Sequence, residues 1–257
     1  MGVQQGMGIS TSSTVVAAPR DTVRGLARWA AQECGAGARV LNVGAGENVS
    51  GGLRPLLRRG VHLVGVDPDE AIERNRSLAE RHRMELEEFS ETHAGEFDVV
   101  LSVYVLEHVA DPAAFAAACA RVLRPGGSWF ALTLNVRHYF GATTWLLSRL
   151  HVAHPALHLL KGDSLVEEHH FPTQYRLNSR AAVRRHCVAA GFEHVDFRCY
   201  DATERYRWYL PGPLAGLAPA WTRAAYAVGA PALMGHLTFR AVKAGDPSAD
   251  AAPTVQG

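Results

Sequence analysis

The sequence predicts an α/β protein built on a doubly wound, mostly parallel seven-stranded sheet, with helical insertions after strand five and between the last two strands. Three observations carry this. Short apolar runs alternate with helical patterns through the first half of the chain, and strands spaced by helices imply parallel crossovers. The run Val40-Leu41-Asn42-Val43 leads straight into the turn Gly44-Ala45-Gly46. The next apolar run, Val61 to Val66, closes on Asp67. A tight turn whose backbone approaches a ligand, with a carboxylate ending the next strand, is how open α/β sheets hold an adenosine ribose.

The elements follow in order. Residues 1–18, rich in Gly, Ser, Thr and Gln, read as a disordered tail. Arg20 to Cys34 reads as a helix, with Val23, Leu26, Ala27 and Ala30 on one face and Gly35 as its stop. Strand one is Arg39 to Val43, a helix spans Gly52 to Arg59, and strand two is His62 to Val66. Asp69 to Arg81 reads as a polar helix and Arg83 to Leu86 as a short third strand. Phe97 to Ser102 is strand four. Asp111 caps an alanine-rich helix opened by Pro112 and ending at Leu123. Arg124-Pro125-Gly126-Gly127 then turns the chain into strand five, Ser128 to Leu134.

After residue 135 the rhythm breaks, with insertions expected over about 136–178 and 201–235. Phe140 to Leu160 reads as an apolar helix as far as Pro155, and Lys161 to Asn178 as a polar and aromatic loop. Regular structure resumes in a helix from Ser179 to Ala190, stopped by Gly191. The strands Phe192 to Tyr200 and His236 to Lys243 follow. The domain is therefore expected to span 19–243, with 244–257 as a second tail.

Composition bounds the function. Of 257 residues, 47% are hydrophobic and 20% charged, which suits a soluble chain with a sizeable core. Lys and Arg number 26 against 25 Asp and Glu, and no dense basic run occurs, so nucleic acid is not an expected partner. Cys34, Cys119, Cys187 and Cys199 are widely spaced and read as buried thiols of a reducing cytoplasm. No basic region followed by an apolar core opens the chain, so no secretory signal is expected. Trp208 to Phe239 carries a single charge, Arg223, yet its prolines make it a poor membrane span. It reads first as a cap over an apolar pocket or a subunit interface, and second as a peripheral contact with lipid.

Together these pieces resemble the class I S-adenosylmethionine-dependent methyltransferases, small-molecule type. The resemblance covers about residues 20–135. It rests on Val40 to Gly46, on Val64-Gly65-Val66-Asp67-Pro68 and on Phe97 to Ser102. It rests more specifically on Val105-Leu106-Glu107-His108-Val109 and Val122-Leu123-Arg124-Pro125-Gly126-Gly127. It implies S-adenosylmethionine as cofactor, S-adenosylhomocysteine as product, and a monomer or homodimer. The implied cofactor-binding residues are Asn42, Gly44, Ala45, Gly46, Asp67, Pro68, Ser102 and Val103. The adenine is expected after strand three, at Glu87, with Glu88 and Phe89 as further candidates. Asn42 stands where the family often has an acid, and Asn48 where a third glycine is common.

The implied chemistry is methyl transfer to O, N or C of a small, fairly apolar molecule. A base serves where the acceptor carries a proton. His108 is the first candidate, and Tyr104 on the same segment would orient substrate; the plainer alternative makes His108 a packing residue. Glu167 to Arg176 forms a second constellation, a covering loop in which His169 or His170 would serve as base and Tyr175 as positioner; a solvated structural loop and, more weakly, a zinc site are the alternatives. Some quinone-pathway relatives bind a metal through Glu-x-x-Glu-His. Here that segment reads Tyr104-Val105-Leu106-Glu107-His108, one acid short, and no metal is expected. Methylation of a lipid, prenylated or glycan-linked substrate at a membrane surface is the second functional reading, and a non-catalytic cofactor scaffold the third. A dinucleotide-dependent oxidoreductase is the weakest, because Val49 stands where its third glycine belongs.

Overall fold

The computed structural model describes residues 9–47, 51–138, 173–202 and 217–245. Its elements are β1 (Ser10–Val15), α1 (Thr22–Ala30), β2 (Arg39–Val43), α2 (Arg54–Leu57), β3 (His62–Val66) and β4 (Glu80–His82). There follow α3 (Leu86–Thr92), β5 (Phe97–Val103), α4 (Pro112–Val122) and β6 (Leu123–Leu134). The last are α5 (Arg180–Ala189), β7 (Phe192–Tyr200), α6 (Leu217–Val228) and β8 (His236–Lys243). The eight strands form one sheet in the order β1-β7-β8-β6-β5-β2-β3-β4, parallel except for β8, which runs antiparallel between β6 and β7.

The predicted α/β class holds, because each face of the sheet carries its own apolar layer. Leu26, Trp29 and Ala30 of α1 pack with Leu56 and with Leu101 and Phe130 on one face. Phe89, Phe115, Val183 and Cys187, from α3, α4 and α5, pack with Val100, Trp129 and Phe239 on the other. Trp129 sits at the middle of the second layer, fully buried, with its ring edge-on to Phe239 at 4.9 Å. All four cysteines are buried free thiols, and burial raises Cys34 and Cys199 to about 11 each.

Several expectations need correction. Within the predicted N-terminal tail, Ser10–Val15 is an eighth strand, paired parallel with β7 from Ser10↔His194 to Val15↔Cys199. Its Ser/Thr composition resembles a tail. What orders it is a sheet edge supplied by residues nearly two hundred positions away, and only the fold reveals that partner. The polar helix over Asp69 to Arg81 shrinks to a 3-10 turn, Glu70–Arg74, and the strand expected at Arg83 to Leu86 lies earlier, at Glu80–His82. Asn75 ends the turn: its side chain accepts from the Ser77 amide, a local bond that competes with the helical ladder. Residues 86–92, not read as a helix, form α3. β6 already pairs at Phe97↔Leu123, and the glycine-bearing stretch before Ser128 shifts its register. α1 and α2 are shorter than expected. The helix expected at 140–160 lies outside the described residues. So does part of the apolar stretch from Trp208, of which α6 is described. Among the described residues, no helix is long and apolar enough to cross a membrane.

Candidate active site

The glycine turn follows β2 at the carboxyl edge of the sheet, where open α/β sheets bind ligands. Gly44 has φ +65° and Gly46 φ +44°, both left-handed. The two need glycine for different reasons. A Cβ on Gly44 would drive into Val105 Cγ2, whereas a Cβ on Gly46 meets no atom within 4 Å and would project into open space. Ala45 is buried, and Gly65 beside it leaves room, since a Cβ there would stand 3.1 Å from Ala45 Cβ.

Asp67 ends β3 and is 92% shielded, with 8% of its surface exposed. Its Oδ2 accepts from the Gly46 amide at 2.9 Å, and its Oδ1 accepts from the Asp69 amide at 2.8 Å. One carboxylate thus ties the glycine turn to the end of the neighbouring strand and caps the chain that leaves it. Partial burial, then the charges of Glu87 and Asp67, raise the Glu85 carboxyl above its ordinary range, so these acids share one neighbourhood.

Asn75 was not singled out by its sequence context. It is fully buried, and its Nδ2 donates to the Ala45 carbonyl at 3.1 Å and to the Gly46 carbonyl at 2.9 Å. Arg81 in turn donates to the Asn75 carbonyl through Nε at 2.9 Å and Nη2 at 2.6 Å. Its only sequence signal is an Asn inside a helical pattern, a residue that favours turns. Asn75→Ala is expected to cost about 2–4 kcal/mol by stranding two carbonyls. Urea unfolding measures this; an unchanged midpoint would show the turn holds itself.

The candidates after β5 come together with the loop before α5. Tyr104 (φ +55°) and Tyr175 (φ +51°) are the left-handed non-glycine residues of the described chain. Such conformations cost of order 1–3 kcal/mol and cluster at functional sites. The Tyr104 hydroxyl shares a 3.2 Å hydrogen bond with Thr22 at the start of α1. The Tyr175 amide donates to the Glu107 carbonyl at 3.0 Å, and Arg176 Nη1 donates to the Ala110 carbonyl at 2.8 Å. His108 is half-buried in the turn between these contacts, its amide donating to Val105. His169 and His170 lie outside the described residues.

Glu107 faces inward. Its Oε1 accepts from the Thr133 hydroxyl at 2.8 Å and the Leu134 amide at 3.0 Å, while Oε2 is buried with no hydrogen-bond partner among the described residues. Burial raises its pKa despite those donors. A carboxylate turned this way ties the segment after β5 to the end of β6. Among the described residues, no three His, Cys, Asp or Glu side chains gather as a metal-binding group. Because the folded pKa lies above the unfolded one, the stability Glu107 contributes is present below the unfolded value and lost as pH rises through the folded one. Glu107→Gln is therefore expected to gain on the wild type as pH rises above the carboxylate range. Denaturant unfolding at an acidic and an alkaline pH checks this, and a difference constant across pH would contradict it.

Two residues expected on the cofactor side, Ser102 and Phe89, lie in the core. Ser102 is fully buried, and its hydroxyl accepts from Trp129 Nε1 at 2.9 Å. Strand alternation places it with Val100 on the α3–α5 face, so it belongs to the core; Val103 alternates to the other face, with Leu101. Phe89 is a core residue stacked on His93 at 3.9 Å. β4 ends at His82, so Arg83 and Met84 follow the strand, and Glu87 lies on the first turn of α3. Asn42 is buried in the middle of β2, beside Gly65 and Leu101, and Pro68 is exposed after Asp67.

Known proteins resemble this chain in family and fold. A family model described as a methyltransferase domain matches residues 17–196. Two curated proteins named ubiquinone biosynthesis O-methyltransferase match part of the chain. The one from Aromatoleum aromaticum is 37% identical over 116 residues, 42% of this chain and 49% of that protein. The one from Hahella chejuensis is 42% identical over 110 residues, 38% of this chain and 44% of that protein. The chain thus spans less than half the length of these relatives. Among solved structures, a SAM-dependent methyltransferase from Archaeoglobus fulgidus superposes with a TM-score of 0.58 at 14% identity, covering 88% of this chain and 95% of that one. Phosphoethanolamine N-methyltransferase 2 of Haemonchus contortus, solved with S-adenosyl-L-methionine, gives 0.51 at 16% identity, over 84% of this chain and 52% of that one. At these identities the structures speak for the fold alone. With the family model spanning most of the chain, and the turn, Asp67 and the post-β5 segment at the sheet's carboxyl edge, this chain belongs to the class I S-adenosylmethionine-dependent methyltransferases.

Proposed function

We propose that this protein transfers a methyl group from S-adenosylmethionine to a hydroxyl oxygen of a small, fairly apolar molecule. The observation that carries the reading is the Gly44–Gly46 turn, bonded to Asp67 and clasped by Asn75, lying against the Tyr104–His108 segment through Val105. The residues fit the cofactor. Gly46 opens onto space that a Cβ would fill, and the shielded Asp67 carboxylate offers charge-assisted acceptors for ribose hydroxyls. Bound there, the cofactor supplies an electrophilic methyl on a sulfonium, a good leaving group.

The chain's own work is to hold the acceptor oxygen about 3 Å from that methyl and to exclude water. His108 would take the hydroxyl proton, while the strained Tyr104 and the docked Tyr175 position the acceptor. Oxygen is favoured over nitrogen or carbon by the names of the curated relatives, which match 42% and 38% of the chain. Buried thiols of raised pKa suit a cytoplasmic enzyme.

The test is turnover of methyl-labelled S-adenosylmethionine against a panel of phenols and catechols, with the product identified by mass spectrometry. Label on oxygen is the expected outcome. Cofactor binding without transfer to any acceptor would favour a scaffold. His108→Ala is expected to lower kcat about 10²-fold with S-adenosylhomocysteine affinity unchanged. A rate near wild type would leave the reaction to positioning alone.

A further inference from the structure

At the other end of the sheet, a cavity of about 220 Å³ opens between β1, the turn after β6 and α5. Among the described residues its polar lining comprises Thr11, Ser13, Asn135, Arg137, Arg180 and Arg184, with no carboxylate. Segments far apart in sequence therefore meet in one recess, and two of them, residue 137 and α5, bring three guanidinium groups to it. Among the described residues, neither Arg137 nor Arg184 forms an ion pair, and Arg180 Nη1 donates only to Ser13 Oγ, at 3.2 Å.

The recess is built rather than incidental. Asn135 Oδ1 accepts from the Arg137 amide at 3.1 Å, and Asn135 Nδ2 donates to the carbonyls of Ala232 and Met234 at 3.2 and 2.9 Å. Arg180 and Arg184 lie one turn apart on α5, whose first turn is capped by Ser179. The N-terminal end of a ten-residue helix adds its own partial positive charge. Strand alternation sends Thr11 and Ser13 toward the cavity, while Ser12 on the opposite face donates to Asp196. The nearby acid is thereby kept on the far side. The N-terminal strand, unexpected from the sequence, supplies the wall that carries the hydroxyl donors.

We infer that this cavity binds a tetrahedral oxyanion of the phosphate type, free or carried on a metabolite or lipid headgroup. Three cations, two hydroxyls and a helix N-terminus favour a dianion over a monoanion, and its charge relieves the mutual repulsion of the arginines. The volume is below that of a drug-sized pocket and admits a headgroup rather than a whole cofactor. The cavity runs from edge strand β1, five strands from β2, to the end of β6, two strands from it, at about 4.8 Å per strand. It does not depend on the methyl-transfer reading.

The test titrates inorganic phosphate into the full chain by calorimetry, with Arg137→Ala, Arg184→Ala and the double variant alongside. Each single change is expected to weaken binding about tenfold and the pair about a hundredfold. Arg58→Ala, an exposed arginine outside the cavity, should leave it unchanged, and S-adenosylhomocysteine affinity should be equal in all variants. A second arm sediments the protein with phosphatidylcholine vesicles containing or lacking phosphatidic acid. Arginine-dependent binding to free phosphate supports the site with a soluble ligand, and arginine-dependent capture only by phosphatidic acid supports it with a lipid-borne one. No binding in either arm, or equal binding by the double variant, overturns the inference.

Discussion

Asp67→Ala is expected to weaken S-adenosylhomocysteine binding by about 2–4 kcal/mol, a loss of one and a half to three orders of magnitude in affinity. Two effects combine. The variant removes the shielded acceptor pair proposed for the ribose, and it also releases the Gly46 and Asp69 amides that the carboxylate now holds. Asp67→Asn separates them, because an amide keeps one acceptor for the turn while losing the charge. Binding a ligand to the folded state raises its apparent stability, so the ligand-dependent rise in Tm reports the affinity. The rise should vanish in Asp67→Ala and fall partway in Asp67→Asn. A full ligand-induced rise in Asp67→Ala would assign the residue to capping alone.

Gly44→Ala and Gly46→Ala are expected to fail differently, although both lie in the same turn. Both positions have positive φ, which costs a residue with a Cβ roughly 1–2 kcal/mol. At Gly44 the new methyl also collides with Val105, on the segment that carries Tyr104 and His108. Overpacking there adds about 1–3 kcal/mol, so Gly44→Ala should lose about 2–5 kcal/mol of stability. At Gly46 the methyl meets nothing, and the fold should lose only the backbone term. Gly46→Ala should instead lower cofactor affinity, because its methyl fills the space proposed for the ligand. Denaturant unfolding and calorimetry on both variants give the comparison. Equal stability losses, with cofactor affinity untouched in Gly46→Ala, would contradict the division of labour.

That division shows what the sequence could and could not tell. The turn, Asp67 and the segment from Tyr104 to His108 were legible because each is local: a strand, its end and the residues just beyond. The cap at Asp111 and the stop at Gly191 were legible for the same reason. What escaped depends on partners distant in sequence. Val105 as the reason for Gly44, Asn75 as the clasp on the turn, and β7 as the partner that orders β1 are all contacts across the fold. Ser102 was misplaced because alternation along β5 gives two faces, and only the position of Trp129 says which one is core. The expected polar helix failed on Asn75, whose side chain takes the local bond that a helix would have used. Tyr175 came from a loose loop pattern, yet its amide docks on Glu107, a contact no spacing rule supplies.

The central claim is that the Gly44–Gly46 turn and Asp67 hold S-adenosylmethionine with its reactive end toward the Tyr104–His108 segment. A crystal structure of the chain with S-adenosylhomocysteine tests it most directly. The account predicts both ribose hydroxyls within hydrogen-bonding distance of the Asp67 carboxylate, and the amino acid end passing over Gly46. A ligand whose ribose touches neither Asp67 nor the turn would contradict it.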